Sequence, residues 1–202
     1  SKAYSVVDYG LLESCVRDDL NASAPRAMAV LDPLKVIIDN YPEGQTEEVE
    51  VDIHPERPEL GKAKITFGKE IYVEKSDFMI EPVKKYFRLF PGNEVRFRGA
   101  YFLTCTSYDL DENGEVTAIH CTYDPASKGG NSPDGRKVKG TIHWAGPNAF
   151  KAEVRLYDRL FTVEDPASVS DEEFPSVINK DSLVVLKDCL IEETIKNALP
   201  ES

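Results

Sequence analysis

The segment from Glu94 to Asp124, EVRFRGAYFLTCTSYDLDENGEVTAIHCTYD, constrains the fold more than any other part of the chain. Two long arms alternate apolar and polar residues on either side of Asn113-Gly114. A period of two turns one face of each arm inward, and an Asn-Gly pair supplies the positive φ values of a tight hairpin turn. Arms of this length can wrap the wall of a barrel.

The flanking segments read the same way. Apolar and β-branched runs at 27–38, 62–67 and 70–75 are separated by breaks containing Pro and Gly, which predicts short antiparallel strands. A loop over 124–137 leads into a strand at 138–145, and residues 150–163 read as a further strand pair or one bent strand. The stretch from Glu164 to Val177 is polar, acidic and Pro-containing, which predicts a surface excursion. A strand at 182–191 and a terminal helix or frayed tail follow. The start of the chain is the exception, because Leu11, Leu12, Cys15, Val16 and Leu20 recur at helical spacing, with Asp8 or Ser5 as cap. The expected fold is mainly β, a sandwich or barrels, with one short N-terminal helical segment.

Several function classes receive no signal. No apolar run approaches the roughly 18–20 residues of a bilayer-spanning helix, and residues 1–10 lack a basic region followed by an apolar core. Cys15, Cys105, Cys121 and Cys189 form no C-x-x-C pair and have no His at finger-like spacing, so no metal site is expected and all four read as structural. Cys105 and Cys121 flank the hairpin and are able to approach each other across it. His54, His120 and His143 sit singly in different segments, and no Ser or Cys nucleophile has a partner base, so no catalytic residue is expected. The glycines of KGGNSPDGRK lack the order of a phosphate cradle, and the carboxylates of 43–52 and 171–173 read as solvated faces.

Charge carries the functional clue. The chain has 24 basic against 36 acidic residues, a formal net charge of -12, yet cations gather at 83–99 and 134–144. Lys84, Lys85, Arg88, Arg96 and Arg98 are interleaved with Tyr86, Phe87, Phe97 and Tyr101. Cations suit phosphates and base edges, and rings give unstacked bases a platform. Arg96 and Arg98 alternate along a strand and so share a face, which predicts an exposed basic row; a strand with a merely polar outer face has the same pattern. The net negative charge opposes long-range attraction to RNA, so steering falls to another part of a larger protein.

Six motifs in order, LLESCVRDDLNASAPRAMAVLDPLKVIIDNY, HPERPELG, EVRFRGAY, CTYDPAS, DGRKVKGTIHW and RLYDRLFTVEDP, run along nearly the whole chain. Together they resemble the C-terminal anticodon-binding portion of the bacterial-type glutaminyl-tRNA synthetase family. YDRLF and HP…G also fit the glutamyl enzymes of archaeal and eukaryotic type, whereas the CTYDPAS…DGRKVKGTIHW block favours glutamine. The resemblance implies two antiparallel β-barrels of the ribosomal-protein-like anticodon-binding type. It divides the chain into a helical connector at 1–24, a proximal barrel from 25–80 plus 147–202, and a distal barrel at 81–146. It also implies a cytoplasmic, monomeric ligase that recognises the glutamine tRNA. ATP and magnesium belong to a class I catalytic body whose HIGH-type and KMSKS-type motifs do not occur in these residues, so this segment by itself is expected to need no cofactor and to catalyse nothing. The family continues beyond residue 202, which bears on how the middle anticodon base is read.

Residue by residue, the resemblance assigns Arg26 to the middle anticodon base, Arg88 to the third, and Arg96 to the first base and its phosphate. Arg98 is grouped with them, and Phe87 stands where the family often carries lysine, exchanging a charged contact for stacking or packing. Lys84, Lys85, Arg136, Lys137 and Lys139 are candidates for the RNA backbone. Structural alternatives stay open: Arg26 bracing the helix–barrel junction, Arg88 pairing with a nearby carboxylate, Arg98 lying solvated, and the block around Arg136, Lys137 and Lys139 belonging to a strand that Ile142 and Trp144 anchor in a core. A stand-alone β-barrel that binds structured RNA or an acidic protein is the remaining alternative.

Overall fold

The computed structural model describes residues 8–196 and 198. It comprises one helix, α1 (Tyr9–Ser23), and eleven strands: β1 (Ala29–Val30), β2 (Pro33–Ile38), β3 (Thr46–Asp52), β4 (Lys62–Gly68), β5 (Glu70–Glu74), β6 (Glu94–Phe97), β7 (Phe102–Leu110), β8 (Val116–Asp124), β9 (Thr141–Ile142), β10 (Phe150–Tyr157) and β11 (Leu183–Ile191). The chain is mainly β, as its alternating pattern implies. It divides into two compact units, residues 1–25 with 153–186, and residues 26–152 with 187–202. The helix of the first unit is capped by Asp8, whose carboxylate accepts from the Gly10 N–H at 2.8 Å; Ser5 lies outside the described residues. Its Leu11, Leu12, Val16 and Leu20 are all exposed, and so is Cys15.

The second unit is organised by a six-stranded sheet in the order β5-β2-β8-β7-β6-β9. Strands from 25–80 and from 81–146 pair within it. It is mixed: β2 runs parallel to β8, and β6 parallel to β9, where the local pattern implies only antiparallel neighbours. The residues between β2 and β8 include the whole β3–β4 hairpin and all of β5, β6 and β7, which is ample chain for a parallel return. Tyr72 on edge strand β5 exchanges both backbone hydrogen bonds with Ala145, just past β9 at the other edge (2.9 and 2.8 Å), so the sheet nearly closes into a barrel.

Local chemistry explains where the observed strands depart from those expected. The run 27–38 breaks because the Glu74 carboxylate takes the N–H groups of Leu31 (2.7 Å) and Asp32 (3.0 Å), separating β1 from β2. The first arm of the long hairpin folds back at Arg98–Ala100. There the Ala100 N–H reaches the Phe97 carbonyl at 2.9 Å, and Gly99 takes φ 71°. A Cβ on Gly99 would meet Val51 Cγ1 at 2.4 Å, so both the backbone conformation and the packing require glycine. At the far turn only Gly114 has positive φ; Asn113 does not, and the Asp111 carboxylate organises the turn by accepting from the Asn113 and Glu115 N–H groups at 2.8 Å each. The acidic run 43–52 is solvated along one face, but it is also strand β3, because Val49 and Val51 alternate inward while Glu48 and Glu50 pair with Lys64 and Lys62 on β4.

The core sits under this sheet. Phe67 of β4 is fully buried and meets Trp144 edge-on at 5.3 Å, with Tyr101 at 5.3 Å and Tyr41 at 5.5 Å. The Trp144 indole N–H donates to the Arg98 carbonyl at 3.0 Å, so the core ring also anchors the β6–β7 turn. Cys105 and Cys121 face each other across β7 and β8, both buried and both reduced.

Candidate nucleic-acid interface

The basic segment at 83–90 is held as an ordered excursion from the sheet. The Met79 N–H donates to the Leu89 carbonyl at 3.1 Å and the Leu89 N–H to the Asp77 carbonyl at 2.9 Å, bracing the two ends of the excursion against each other. Inside it the Tyr86 N–H closes a turn on the Val83 carbonyl (3.0 Å), and Lys85 adopts φ 69°, the only positive φ among the described non-glycine residues. The Tyr86 hydroxyl donates to the Ser76 carbonyl at 3.1 Å, and burial pushes its pKa up to about 12. Asn93 Nδ2 donates to the Arg88 carbonyl at 2.6 Å.

This frame sets the side chains. Phe87 is 47% exposed, and Lys139 Nζ lies 5.1 Å from the centre of its ring. Arg88 pairs through Nη1 with Asp77, while its side chain stays 52% exposed and that of Asp77 is fully buried. Lys84, Lys85, Lys137 and Lys139 are exposed. Gly140, whose carbonyl accepts from the Arg96 N–H at 2.9 Å, brings β6, the 83–90 excursion and Lys139 to one sheet edge.

Arg96 and Arg98 do flank the buried Val95 and Phe97 on the opposite side, but they do not form a uniformly exposed row. The guanidinium of Arg96 lies 5.3 Å from the centre of the buried Phe102 ring, and its Nε has no hydrogen-bond partner among the described residues. Arg136 covers the same ring at 5.1 Å. Its nitrogens donate to Glu94 (2.9 and 2.9 Å), Asp124 (2.6 Å) and Asp134 (2.8 Å), which commits that guanidinium within the protein. The hydrogen bond from Arg136 is the main reason Asp124 titrates below its ordinary range. Asp134 is also held low, by the Arg136 backbone N–H and then its side chain.

A second locus lies where β3 ends. Arg98 Nη2 donates to the Asp52 carbonyl at 3.0 Å, and the Arg26 backbone N–H donates to the next carbonyl, Ile53, at 2.8 Å. Beside them opens a cavity of about 540 Å³ lined by β3, Lys62, Arg98, Gly99, Lys128 and Gly129. Lys128 is tied to Glu47, which also accepts from the Tyr101 hydroxyl (2.7 Å) and the Tyr41 hydroxyl (3.2 Å). Burial pushes Glu47 up, yet the bonds from Lys128, Tyr101 and Tyr41 hold it below its ordinary value.

The sequence-assigned residues thus form two groups, Phe87, Arg88 and Lys139 at one edge, Arg26 and Arg98 near Asp52 and Ile53, with Arg96 on β6 beside Gly140. Asp77, Gly140 and Lys128 also belong to these two loci and carry no assignment from the sequence. Gly140 had a legible signal, since a glycine inside a strand pattern marks a close backbone approach. Asp77, an isolated carboxylate in a polar loop, had none.

The nearly closed β-sheet presents a half-exposed ring, a half-exposed guanidinium and several lysines at one edge, residue types that suit unstacked bases and phosphates. Comparison with known proteins makes this specific. Two family models, each described as tRNA synthetases class I (E and Q), anti-codon binding domain, match residues 24–124 and 141–202, and the chain belongs to this family. It is 54% identical over 196 residues to a glutamine–tRNA ligase of Bradyrhizobium diazoefficiens, covering 96% of this chain and 35% of that protein. Matches of 51% to the Clostridium perfringens ligase and 48% to that of Vibrio parahaemolyticus cover 100% of this chain and 36% of each relative. The chain therefore spans about a third of the length of these relatives. Among the described residues, no helix is long and apolar enough to cross a membrane.

Proposed function

We infer that this chain reads the anticodon of a glutamine tRNA as part of a cytoplasmic, monomeric glutamine–tRNA ligase. The observation that carries the reading is the Phe87–Arg88–Lys139 edge, where stacking surface, hydrogen-bond donor and phosphate-directed charge converge within a family of anticodon-binding domains. The names of the relatives favour glutamine over glutamate. In this reading Arg88 meets the third anticodon base, Arg96 the first base and its phosphate, and Arg26 the middle base. Arg98 lines the cavity beside β3, and Phe87 serves as a stacking platform. Lys84, Lys85, Lys137 and Lys139 follow the backbone, while Arg136, engaged by three carboxylates, holds the loop that carries Lys137 and Lys139. The 83–90 excursion and Lys139 then supply the base-reading edge of the nearly closed sheet. ATP and magnesium are handled outside this chain, and the formal charge of -12 leaves steering of the RNA to the rest of the protein.

The test is binding of the full-length protein to the glutamine tRNA and to the same tRNA with its third anticodon base replaced, with and without Arg88→Ala. A well-formed bidentate contact discriminates by about 1–3 kcal/mol, so Arg88→Ala is expected to weaken binding of the native tRNA and bring the two RNAs close together. Full discrimination retained by Arg88→Ala overturns the assignment.

A further inference from the structure

We propose that Asp77 is the positioning residue that gives Arg88 its specificity, fixing one corner of the guanidinium so that the opposite edge is aimed at the base; this rests on the anticodon-reading function inferred above.

The side chain of Asp77 is fully buried, and among the described residues neither carboxylate oxygen has a hydrogen bond of regular geometry, so its ion pair with Arg88 is what compensates the charge. An ionised carboxylate out of water is tolerated only when paired, so a buried Asp whose partner is a half-exposed Arg is poorly explained as a stability device. The main chain around the pair is unusually constrained for a loop. Asp77 and Leu89 are joined by a 2.9 Å backbone bond, Met79 and Leu89 by another of 3.1 Å, and the Arg88 carbonyl is taken by Asn93. With the Cα fixed by these bonds and Nη1 by Asp77, the long Arg side chain is held at both ends.

A guanidinium is planar and carries five N–H donors in a rigid fork. Asp77 engages Nη1, and the 52% exposure of the side chain leaves donors on the remaining edge open to solvent. Donors without acceptors select a base edge with two acceptors, the O6/N7 pair of guanine being the matching pattern. An untethered Arg at the same place would keep its charge and its attraction for any phosphate. It would lose the fixed direction on which discrimination depends. The pair therefore separates affinity, which charge alone supplies, from selectivity, which needs Asp77.

The experiment uses the full-length protein and four forms: unaltered, Arg88→Ala, Asp77→Asn and the double variant, each confirmed as folded by its urea transition. Binding is measured to the glutamine tRNA and to its third-base variant. Asp77→Asn is expected to lower the ratio of the two affinities by about tenfold, with a smaller effect on the third-base variant itself. Adding Asp77→Asn to Arg88→Ala is expected to change the ratio no further, since the two act through one contact. An unchanged ratio in Asp77→Asn, while Arg88→Ala loses discrimination, overturns this inference alone. Loss of nothing in either single variant overturns the anticodon assignment as well. A ratio that falls again in the double variant also overturns it, because Asp77 would then act independently of Arg88. Should Asp77→Asn not fold, Asp77→Glu, which keeps the charge but displaces it by one methylene, is read by the same criteria.

Discussion

The carbonyl oxygen of Phe87 rests against the α-carbon of Gly140: a Cβ built on Gly140 would lie 2.0 Å from that oxygen and 3.2 Å from Val95 Cγ1. No side-chain rotation relieves a clash with a backbone atom, so this contact sets how closely the 83–90 excursion docks on the sheet edge. Gly140→Ala is expected to push the excursion outward and to destabilise the protein by about 1–3 kcal/mol, the usual range for overpacking. Urea unfolding measures the loss. The same variant is expected to weaken RNA binding, because it moves Phe87 and Arg88 together relative to Arg96.

Phe87 separates stacking from packing. Its ring is 47% exposed and outside the core, with Lys139 as its cationic neighbour. Phe87→Ala is therefore expected to leave the unfolding free energy from urea titration within about 0.5 kcal/mol of the unaltered protein. If a base stacks on the ring, binding of the glutamine tRNA weakens by about 1–3 kcal/mol. Phe87→Lys is expected to recover part of that loss through phosphate attraction, and to do so more at low salt than at high salt. Equal affinity of the Ala variant and the unaltered protein would remove Phe87 from the interface.

The local pattern of the chain carried much of this architecture, and its silences have physical causes. The helix over 9–23, the strands at 62–68, 70–74 and 183–191, and the turn at Gly114 all follow from period and turn chemistry. Strand β3 was hidden because its glutamates look like a solvated face, although Val49 and Val51 alternate beneath them. The parallel pairing of β2 with β8 joins segments some eighty residues apart, and no local period encodes such a partner. The candidate site is marked in the sequence by its cations and rings. It was not legible in what fixes them, since Asp77 and Gly140 matter only because the fold brings them to Arg88 and Phe87.

Cysteine reactivity gives an independent reading of the core. Cys15 is exposed on α1, whereas Cys105, Cys121 and Cys189 are buried. In the native full-length protein, Cys15 is expected to react quickly with a soluble disulfide reagent, and these three only as the protein unfolds. The Cys121 thiol is pushed well up, first by its hydrogen bond with Cys105 and then by burial, which slows it further. Mass spectrometry of the labelled sites, with and without denaturant, makes the assignment. Rapid native labelling of Cys105 or Cys121 would mean that β7 and β8 open readily.

His120 makes part of the stability depend on pH. Its Nδ1 lies 2.9 Å from Asp39 Oδ1 and its Nε2 3.1 Å from Asp109 Oδ2, so the ring ties β8 to Asp39 after β2 and to Asp109 on β7. The bond to Asp39, then that to Asp109, raises its pKa above the ordinary value of 6.5, outweighing the opposing effect of burial. A raised folded-state pKa means that the folded protein binds the proton more tightly than the unfolded chain does. The stabilisation is therefore present in full below about pH 6.5, where both states are protonated. It fades as pH rises through the higher folded-state value, leaving two carboxylates beside a neutral ring. Cys105 lies close enough to feel the imidazolium, and its own pKa is lowered chiefly by the hydrogen bond with Cys121, so the thiol pair must be separated from the histidine effect. Comparison with His120→Gln does this, because the variant keeps both thiols while removing the titrating ring. Urea unfolding of the two proteins between about pH 5.5 and 8.5 is expected to show the unaltered form ahead by most at the acid end, with the gap closing as pH rises. A gap that widened with pH would mean that His120 is bound as the neutral ring and that the two aspartates do not hold its proton.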